Sequence, residues 1–380
     1  MARTVKRAYK YRFYPTPEQA DLLSRTFGSV RWVYNRALAE RSRAWTQEQR
    51  RVTFAETCRM LTAWKADPDT AWLYEVSNVA LQQGLQHLQQ AYVNFWSKRA
   101  KYPNFKSKRK SRASATFTTS GFRWRDGQVT LAKMDAPLDI RWSRPLPESA
   151  EPSTVTVSRD AAGRWHISIL VECPVGTLPA LDTSVGIDAG ITSLVTLSTG
   201  EKITNPKHER RDSARLALAQ RRLSRKQKGS ANRAKARVKV ARVHVRITDR
   251  RRDVLHKLST RIIRENQTVI IEDLSVRNMV RNHSLARAIS DASWSEFRRQ
   301  LEYKADWYGR TVIAVDRFYP SSKTCSACGV IAAKMPLSVR EWACAACGVR
   351  HDRDVNAAKV IRAEGLSVQA CGDGVRPPRT

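Results

Sequence analysis

A chain of 380 residues is too long for one small core, so two or more domains are expected. Its 68 Lys and Arg against 35 Asp and Glu leave a formal net charge of +33, which opposes compaction unless a polyanion shares the surface. That balance points to nucleic acid, with an anionic membrane surface as rival. No apolar run approaches the length of a bilayer span, and the basic residues 1–7 lack the apolar stretch of a signal peptide.

Residues 5–14 alternate in the manner of a strand. Thr16, Pro17 and Gln19 then have the pattern of a capping box, and a helical region follows to about residue 98. Within it Val30, Val33, Tyr34 and Ala37, and later Val79, Leu81, Leu85, Leu88, Tyr92 and Phe95, recur at helical spacing as buried faces. Residues 98–110 are basic with two aromatics interleaved. A solvated loop is the plain reading. Base stacking and phosphate contact by Lys101, Tyr102, Phe105 and Lys106 is the favoured one. From 115 to 172 the period changes to two. The strands at 153–158 and 165–171 are joined by a turn at Asp160, Ala161, Ala162 and Gly163. Together with the first strand they suggest a small barrel into which the helical block is inserted. Residues 174–183 have the composition of a linker.

Strands are then expected at 184–188, 193–198 and 201–204, followed by a basic helical region over 206–264. A strand at 268–274, a helix at 293–308, a strand at 311–316 and a helix from 353 to about 364 complete the order βββ-α-β-α-β-insert-α. The Gly- and Pro-containing tail from residue 365 is expected to be loose. In the basic region Arg221, Arg222, Arg225 and Lys226 are the densest cluster. One-signed charge of that density suits a nucleic-acid backbone better than it suits solvent alone, and it carries no sequence readout.

The insert carries two Cys-x-x-Cys knuckles, Cys325/Cys328 and Cys344/Cys347, spaced x2–x15–x2. That spacing fits a structural four-thiolate zinc site. A redox dithiol pair, or a staple with no further role, stays open. Lys323, Lys334, Arg340, Arg350 and Trp342 decorate the insert in a way that suits nucleic acid. Cys58, Cys173 and Cys371 are isolated and read as core or tail thiols. An odd total of seven with no disulfide framework points to a reducing cytosol.

Three carboxylates stand at element ends: Asp188 after the first strand of the second half, Glu272 after the fourth, and Asp354 at the start of the last helix. Each alone reads as a cap or surface group. In a chain this cationic, their gathering suggests Mg²⁺, two ions of which serve phosphodiester cleavage. Alternation lets only one of Glu272 and Asp273 face the site, and Glu272 is preferred. Asp354 is preferred over Asp352. The glycines beside Asp188 are read as room for a nucleic-acid backbone.

The runs Gly186-Ile187-Asp188-Ala189-Gly190-Ile191, Ile271-Glu272-Asp273-Leu274, Tyr319-Pro320-Ser321-Ser322-Lys323-Thr324-Cys325-Ser326-Ala327-Cys328-Gly329, Cys344-Ala345-Ala346-Cys347-Gly348 and His351-Asp352-Arg353-Asp354-Val355-Asn356-Ala357-Ala358 resemble the TnpB family. TnpB proteins are transposon-encoded nucleases similar to the compact type V CRISPR effectors. The resemblance is strong over roughly 184–362 and looser before it. It implies an α/β RNase H-like (RuvC) nuclease domain at 181–317 and 352–380, with a zinc ribbon inserted at 318–351. It also implies a β-barrel wedge domain at 1–14 and 113–180 with a helical recognition domain at 15–112. Asp188, Glu272 and Asp354 fall on the family's catalytic positions. The implied activity is Mg²⁺-dependent cleavage of double-stranded DNA beside a short adjacent motif, guided by one RNA per protein from the transposon end. The implied setting is the prokaryotic cytoplasm, at the nucleoid. Lys323 and Arg353 join the expected nucleic-acid contacts. A nuclease-inactive RNA-guided regulator, or a guide-free RuvC-type nuclease specific for DNA structure, is the alternative.

Overall fold

Thr16 caps the first helix, three residues after the first strand ends. Its side chain accepts a hydrogen bond from the Gln19 amide at 3.3 Å, and Gln19 Oε1 accepts one from the Thr16 amide at 3.2 Å. The capping box read from the sequence is therefore formed. The computed structural model describes residues 4–147, 150–174, 176–336 and 338–370. The chain divides into two units, Met1–Pro174 and Val175–Thr380.

In the first unit β1 (Thr4–Phe13) leads into α1 (Pro17–Glu48), α2 (Phe54–Ala66) and α3 (Asn78–Trp96), with a 3-10 stretch at Pro68–Glu75. Then come β2 (Ala113–Thr118), β3 (Phe122–Arg125), β4 (Gln128–Leu131), β5 (Ile140–Arg141), β6 (Pro152–Arg159) and β7 (Trp165–Pro174). The β6–β7 turn is held by Asp160 Oδ1, which accepts from the Ala162 and Arg164 amides at 2.9 Å each. Five strands form one antiparallel sheet in the order β2-β6-β7-β1-β5, and β3 pairs with β4 separately. The sheet is open, which corrects the expectation of a barrel. Its edge strands β2 and β5 do not pair, and β5 is two residues long, too short to offer β2 a ladder. Val33, Leu38, Leu81 and Leu88 of the helices share one buried core with Tyr11, Phe13, Val155, Ile167 and Ile169 of the sheet.

The second unit claims the expected linker. Leu178 donates its amide to the Tyr308 carbonyl at 3.1 Å, and Arg310 Nη1 donates to the Pro179 carbonyl at 2.8 Å. Residues up to 180 therefore do not extend the N-terminal sheet. The elements are β8 (Ser184–Ala189), β9 (Ser193–Leu197), β10 (Lys202–Thr204), α4 (His208–Arg211), α5 (Ser213–Ser224), α6 (Ala231–Glu265), β11 (Thr268–Glu272), α7 (Val276–Met279), α8 (Ala286–Ala292) and α9 (Trp294–Tyr308). They are followed by β12 (Thr311–Val315), β13 (Glu341–Ala343), β14 (Arg350–Asp352) and α10 (Arg353–Ala370). The sheet order is β10-β9-β8-β11-β12, with β8, β11 and β12 parallel and β9 antiparallel to its neighbours.

The period-two alternation of β8 and β11 gives the sheet two faces. Val185, Ile187, Val269 and Ile271 pack under Leu258 and Ile262 of α6 and Phe297 and Leu301 of α9. Ile270 lies on the opposite face with Ile361 of α10. The helix comes so near that a Cβ on Gly186 would meet the Ala358 carbonyl oxygen at 2.1 Å. Gly186 therefore makes room for α10, which corrects its reading as room for nucleic acid. Gly190 is likewise crowded, by the Ser193 carbonyl at 2.9 Å. Gly365 does not loosen the chain either. It sits inside α10 where a side chain would strike Ile270, and the helix continues to Ala370. Cys173 is buried and Cys58 half-buried, as core thiols; Cys371 falls outside the described residues.

Two glycines should respond in opposite ways. Gly186→Ala should cost on the order of 1–3 kcal/mol, because backbone cannot yield as a side chain can. Gly28→Ala, inside α1 with nothing within 4 Å, should add about 0.5–1 kcal/mol. Urea denaturation of the two variants measures both signs.

Candidate metal and nucleic-acid site

Strand register brings the first two carboxylates together. Ile187 pairs with Ile271, so one step further Asp188 and Glu272 stand side by side at the carboxyl ends of parallel strands, on one face. It is the face covered by α10. That helix crosses Gly186 at Ala358 and Arg362 and reaches Ile270 at Gly365. Asp354 lies four residues before Ala358 on that helix, near enough for its charge to act on Asp188.

The electrostatics agree. Burial, together with the charges of Glu272 and Asp354, pushes the Asp188 carboxyl up to about 8. Burial also raises Glu272, against the hydrogen bond that Ser321 Oγ donates to Glu272 Oε1 at 2.8 Å. Arg340 approaches Asp354 only to 3.8 Å. The neighbouring acids are occupied. Asp352 Oδ1 caps α10, accepting from the Asp354 and Val355 amides at 3.1 and 3.0 Å, and its other oxygen holds Lys202 at 2.6 Å. Asp273 holds Arg298 at 2.6 Å and Arg317 on its other oxygen. Burial works against both of these acids, but their cations keep the carboxyls below the usual range.

The four knuckle cysteines form the only group of His, Cys, Asp or Glu among the described residues whose ligand atoms all lie within 4.8 Å of one another. Sγ atoms of Cys325 and Cys347 are 3.7 Å apart, and those of Cys328 and Cys344 are 3.6 Å apart. A tetrahedral zinc with Zn–S of about 2.3 Å has S–S edges of about 3.8 Å, so the donor set fits that ion. The same turn is built twice. Gly329 donates to the Cys325 carbonyl and Gly348 to the Cys344 carbonyl, at 2.9 and 2.8 Å, with left-handed φ of 77° and 72°. Backbone amides of Cys347 and Ala346 lower Cys344 to about 7, toward the thiolate a metal needs.

Two side chains fasten this insert to the start of α10. Asn356, buried to 1 % exposure, accepts from the Ser326 amide at 2.9 Å and donates to the Thr324 carbonyl at 2.7 Å. Arg353 is also buried and donates to the Pro336 carbonyl at 2.8 Å. It pins the insert, and this corrects its expected role as a nucleic-acid contact. Sequence reasoning passed over Asn356 and Ser321. The available signals were a lone amide in the apolar run Val355–Ala358 and a hydroxyl just ahead of the first knuckle.

The basic segments divide. Lys101 and Phe105 are exposed. Tyr102 is exposed too, and it also packs edge-on against Tyr92 and Phe95, its hydroxyl bonding those of Ser42 and Tyr92. Lys106 lies over the Tyr34 ring at 3.8 Å, its backbone clasped by Asn35. Arg221, Arg222, Arg225 and Lys226 are all exposed at the α5–α6 turn, above a small core of Leu216, Val243 and Ile247. Lys323 is half-buried. Trp342 faces His351 across the β13–β14 pair, with ring centroids 4.9 Å apart.

An RNase H-ordered sheet with acids at its strand ends and a four-cysteine insert defines a class that includes transposon OrfB proteins and the Cas12 effectors. Residues 168–283 match the OrfB_IS605 family profile, described as "Probable transposase", and residues 294–361 match the Cas12f1-like TNB domain. Residues 1–50 match a profile described as a helix-turn-helix domain; here they hold β1 and α1. A Streptomyces pristinaespiralis protein named "Putative RNA-guided DNA endonuclease" is 66 % identical over all of this chain and 94 % of its own. The Escherichia coli K12 protein "Putative RNA-guided DNA endonuclease InsQ" is 34 % identical over 98 % of this chain and 95 % of its own. In fold the chain is similar to Cas12f1 in a guide RNA–target DNA complex, with TM-score 0.58 and 13 % identity, covering 94 % of this chain and 99 % of that one. The chain belongs to the TnpB (OrfB_IS605) family.

A carboxylate whose pKa is raised on folding stabilises the protein below its unfolded value and loses that contribution as pH climbs through the folded one. In magnesium-free buffer the Tm of Asp188→Asn should exceed that of the wild type by a margin that widens from about pH 4 to pH 8. A kilocalorie of relief corresponds to about 2–4 °C. Native mass spectrometry should find one zinc per chain, lost in Cys328→Ser.

Proposed function

We propose that this chain is an RNA-guided, Mg²⁺-dependent DNA endonuclease that cuts target DNA beside a short adjacent motif. The observation that carries this reading is the sorting of acids at the end of the β8–β11 pair. Asp352 and Asp273 are neutralised by cations, while Asp188 and Glu272 are raised by burial, and Asp188 further by its neighbours' charges. A cluster of that kind is costly in metal-free protein and fits divalent ions. Asp188, Glu272 and Asp354 would hold them. The carboxylates are spread more widely than the thiolates, as suits two ions about 4 Å apart. Bound Mg²⁺ supplies activation of water and charge relief at the leaving oxygen. Ser321 orients Glu272, and the Asp352 cap sets the helix start that presents Asp354.

The zinc ribbon at 318–351 holds that helix start through Asn356 and Arg353. Zinc is structural there, since four thiolates close its shell. Exposed Lys101, Phe105, Arg221, Arg222, Arg225 and Lys226, with Lys323, supply backbone and base contacts to guide RNA and target duplex. The helical block at 15–112 and the open sheet act as recognition and wedge parts, with one RNA per protein. The setting is the prokaryotic cytoplasm, at the nucleoid. Among the described residues no helix is long and apolar enough to cross a membrane.

Asp188→Ala should lower Mg²⁺-dependent cleavage of guide-matched duplex by at least about 10³-fold, the several kcal/mol that metal-held charge relief supplies. Guide RNA affinity should stay within about twofold, since the change removes an acid proposed to act on the target DNA and none of the exposed cations proposed to contact RNA. Undiminished cutting removes Asp188 from the mechanism.

A further inference from the structure

Phe318 is 86 % exposed, the most exposed large apolar side chain among the described residues. Its neighbour Tyr319 turns inward, packing on the Ile270–Ile361 cluster with its hydroxyl at Glu364. The two aromatics therefore face opposite ways, and only one serves the core.

The loop that presents Phe318 is ordered by its own hydrogen bonds. Asp316 Oδ1 accepts from the Phe318 amide at 2.9 Å, and the Asp316 carbonyl accepts from the Tyr319 amide at 3.1 Å. The Ser321 amide donates to the Tyr319 carbonyl at 2.8 Å. Both ends of the loop are fixed to the carboxylate site. Val315, where it begins, pairs with Glu272 across β11 and β12, and Ser321, where it ends, bonds the Glu272 carboxylate. Phe318 lies three residues from each anchor, so its backbone is at most about 10 Å from either. Arg317 and Lys323 flank it, and Asp273 holds Arg317 in place.

A solvent-facing ring within a few nucleotides of clustered acids, on a hydrogen-bonded basic loop, has the features of a base-stacking platform. We propose that Phe318 stacks on a nucleobase of the single DNA strand entering the carboxylate site, placing the scissile phosphate. This rests on the nuclease reading above. Phe318 is a substrate-binding residue, and an unpaired base suits it, because reaching the face of a base inside a duplex first costs the free energy of unstacking it.

The test uses guide-loaded Asp188→Ala protein with Mg²⁺ and target duplexes carrying one 2-aminopurine, moved stepwise along each strand. Stacking quenches the probe. With Phe318 intact, fluorescence lower than that of the same probe at other unpaired positions in the complex should appear over a short window of one strand. Phe318→Ala should abolish it, and Phe318→Trp should keep it. A window unchanged by Phe318→Ala overturns the proposal, and so does the absence of any window. In nuclease-competent protein Phe318→Ala should lower kcat/KM about 5- to 150-fold, with zinc content and guide affinity unchanged, and Phe318→Tyr should restore it. Cutting that survives Asp188→Ala would refute the metal assignment, while the fluorescence still decides the role of Phe318.

Discussion

The contact between Gly186 and the backbone of α10 sets the geometry of the second unit. No other residue leaves space for a helix at that distance, since a methyl group would already collide with the Ala358 carbonyl. The close approach fixes where the helix crosses β8. The helix carries Asp354 on its first turn, and the strand carries Asp188 two residues past the glycine. One packing constraint therefore sets the spacing of two acids that are 166 positions apart in the chain (354 − 188). Gly365 repeats the device further along, against Ile270, so the helix is seated closely at two points.

Charge is then distributed in a consistent way. A chain of net charge +33 has cations to spare, and it spends them on some acids while withholding them from others. Lys202 takes Asp352, and Arg298 and Arg317 take Asp273. Asp273 is adjacent to Glu272, and Asp352 is two residues from Asp354, which Arg340 approaches only to 3.8 Å. The engaged acids do structural work, capping a helix or bracing a loop. The strain of the remaining group is concentrated at Asp188, where burial and two neighbouring carboxylates act together. The four-cysteine insert joins this arrangement through Asn356 and Arg353, which bind it to the turn that carries Asp354.

Much of this was legible in the residues. The strand order of the second unit follows from period and apolar runs. Thr16 and Gln19 declared the first helix, and the cysteine spacing declared the knuckles. Parity along β11 separated Glu272 from Asp273 because alternation is a local rule. What stayed hidden depends on partners distant in the chain. The glycine at 186 looks like one that admits a ligand until α10 is laid over it. Gly365 looks like a helix breaker until Ile270 is seen beneath it. Arg353 reads as a phosphate contact by charge alone, and only the carbonyls of Pro336 and Val339 show it to be buried. The open sheet of the first unit was misjudged for a similar reason. Alternation predicts strands and faces, but closure depends on edge lengths, and β5 is only Ile140 and Arg141.

Cleavage by this chain turns on whether Asp188, Glu272 and Asp354 jointly hold divalent ions. Anomalous diffraction from crystals of the guide RNA–target complex soaked in Mn²⁺ measures this directly. Two manganese peaks about 4 Å apart, each within bonding distance of at least one of the three carboxylates and together touching all of them, are the predicted result. Manganese bound only elsewhere, with these side chains turned from one another, would contradict it.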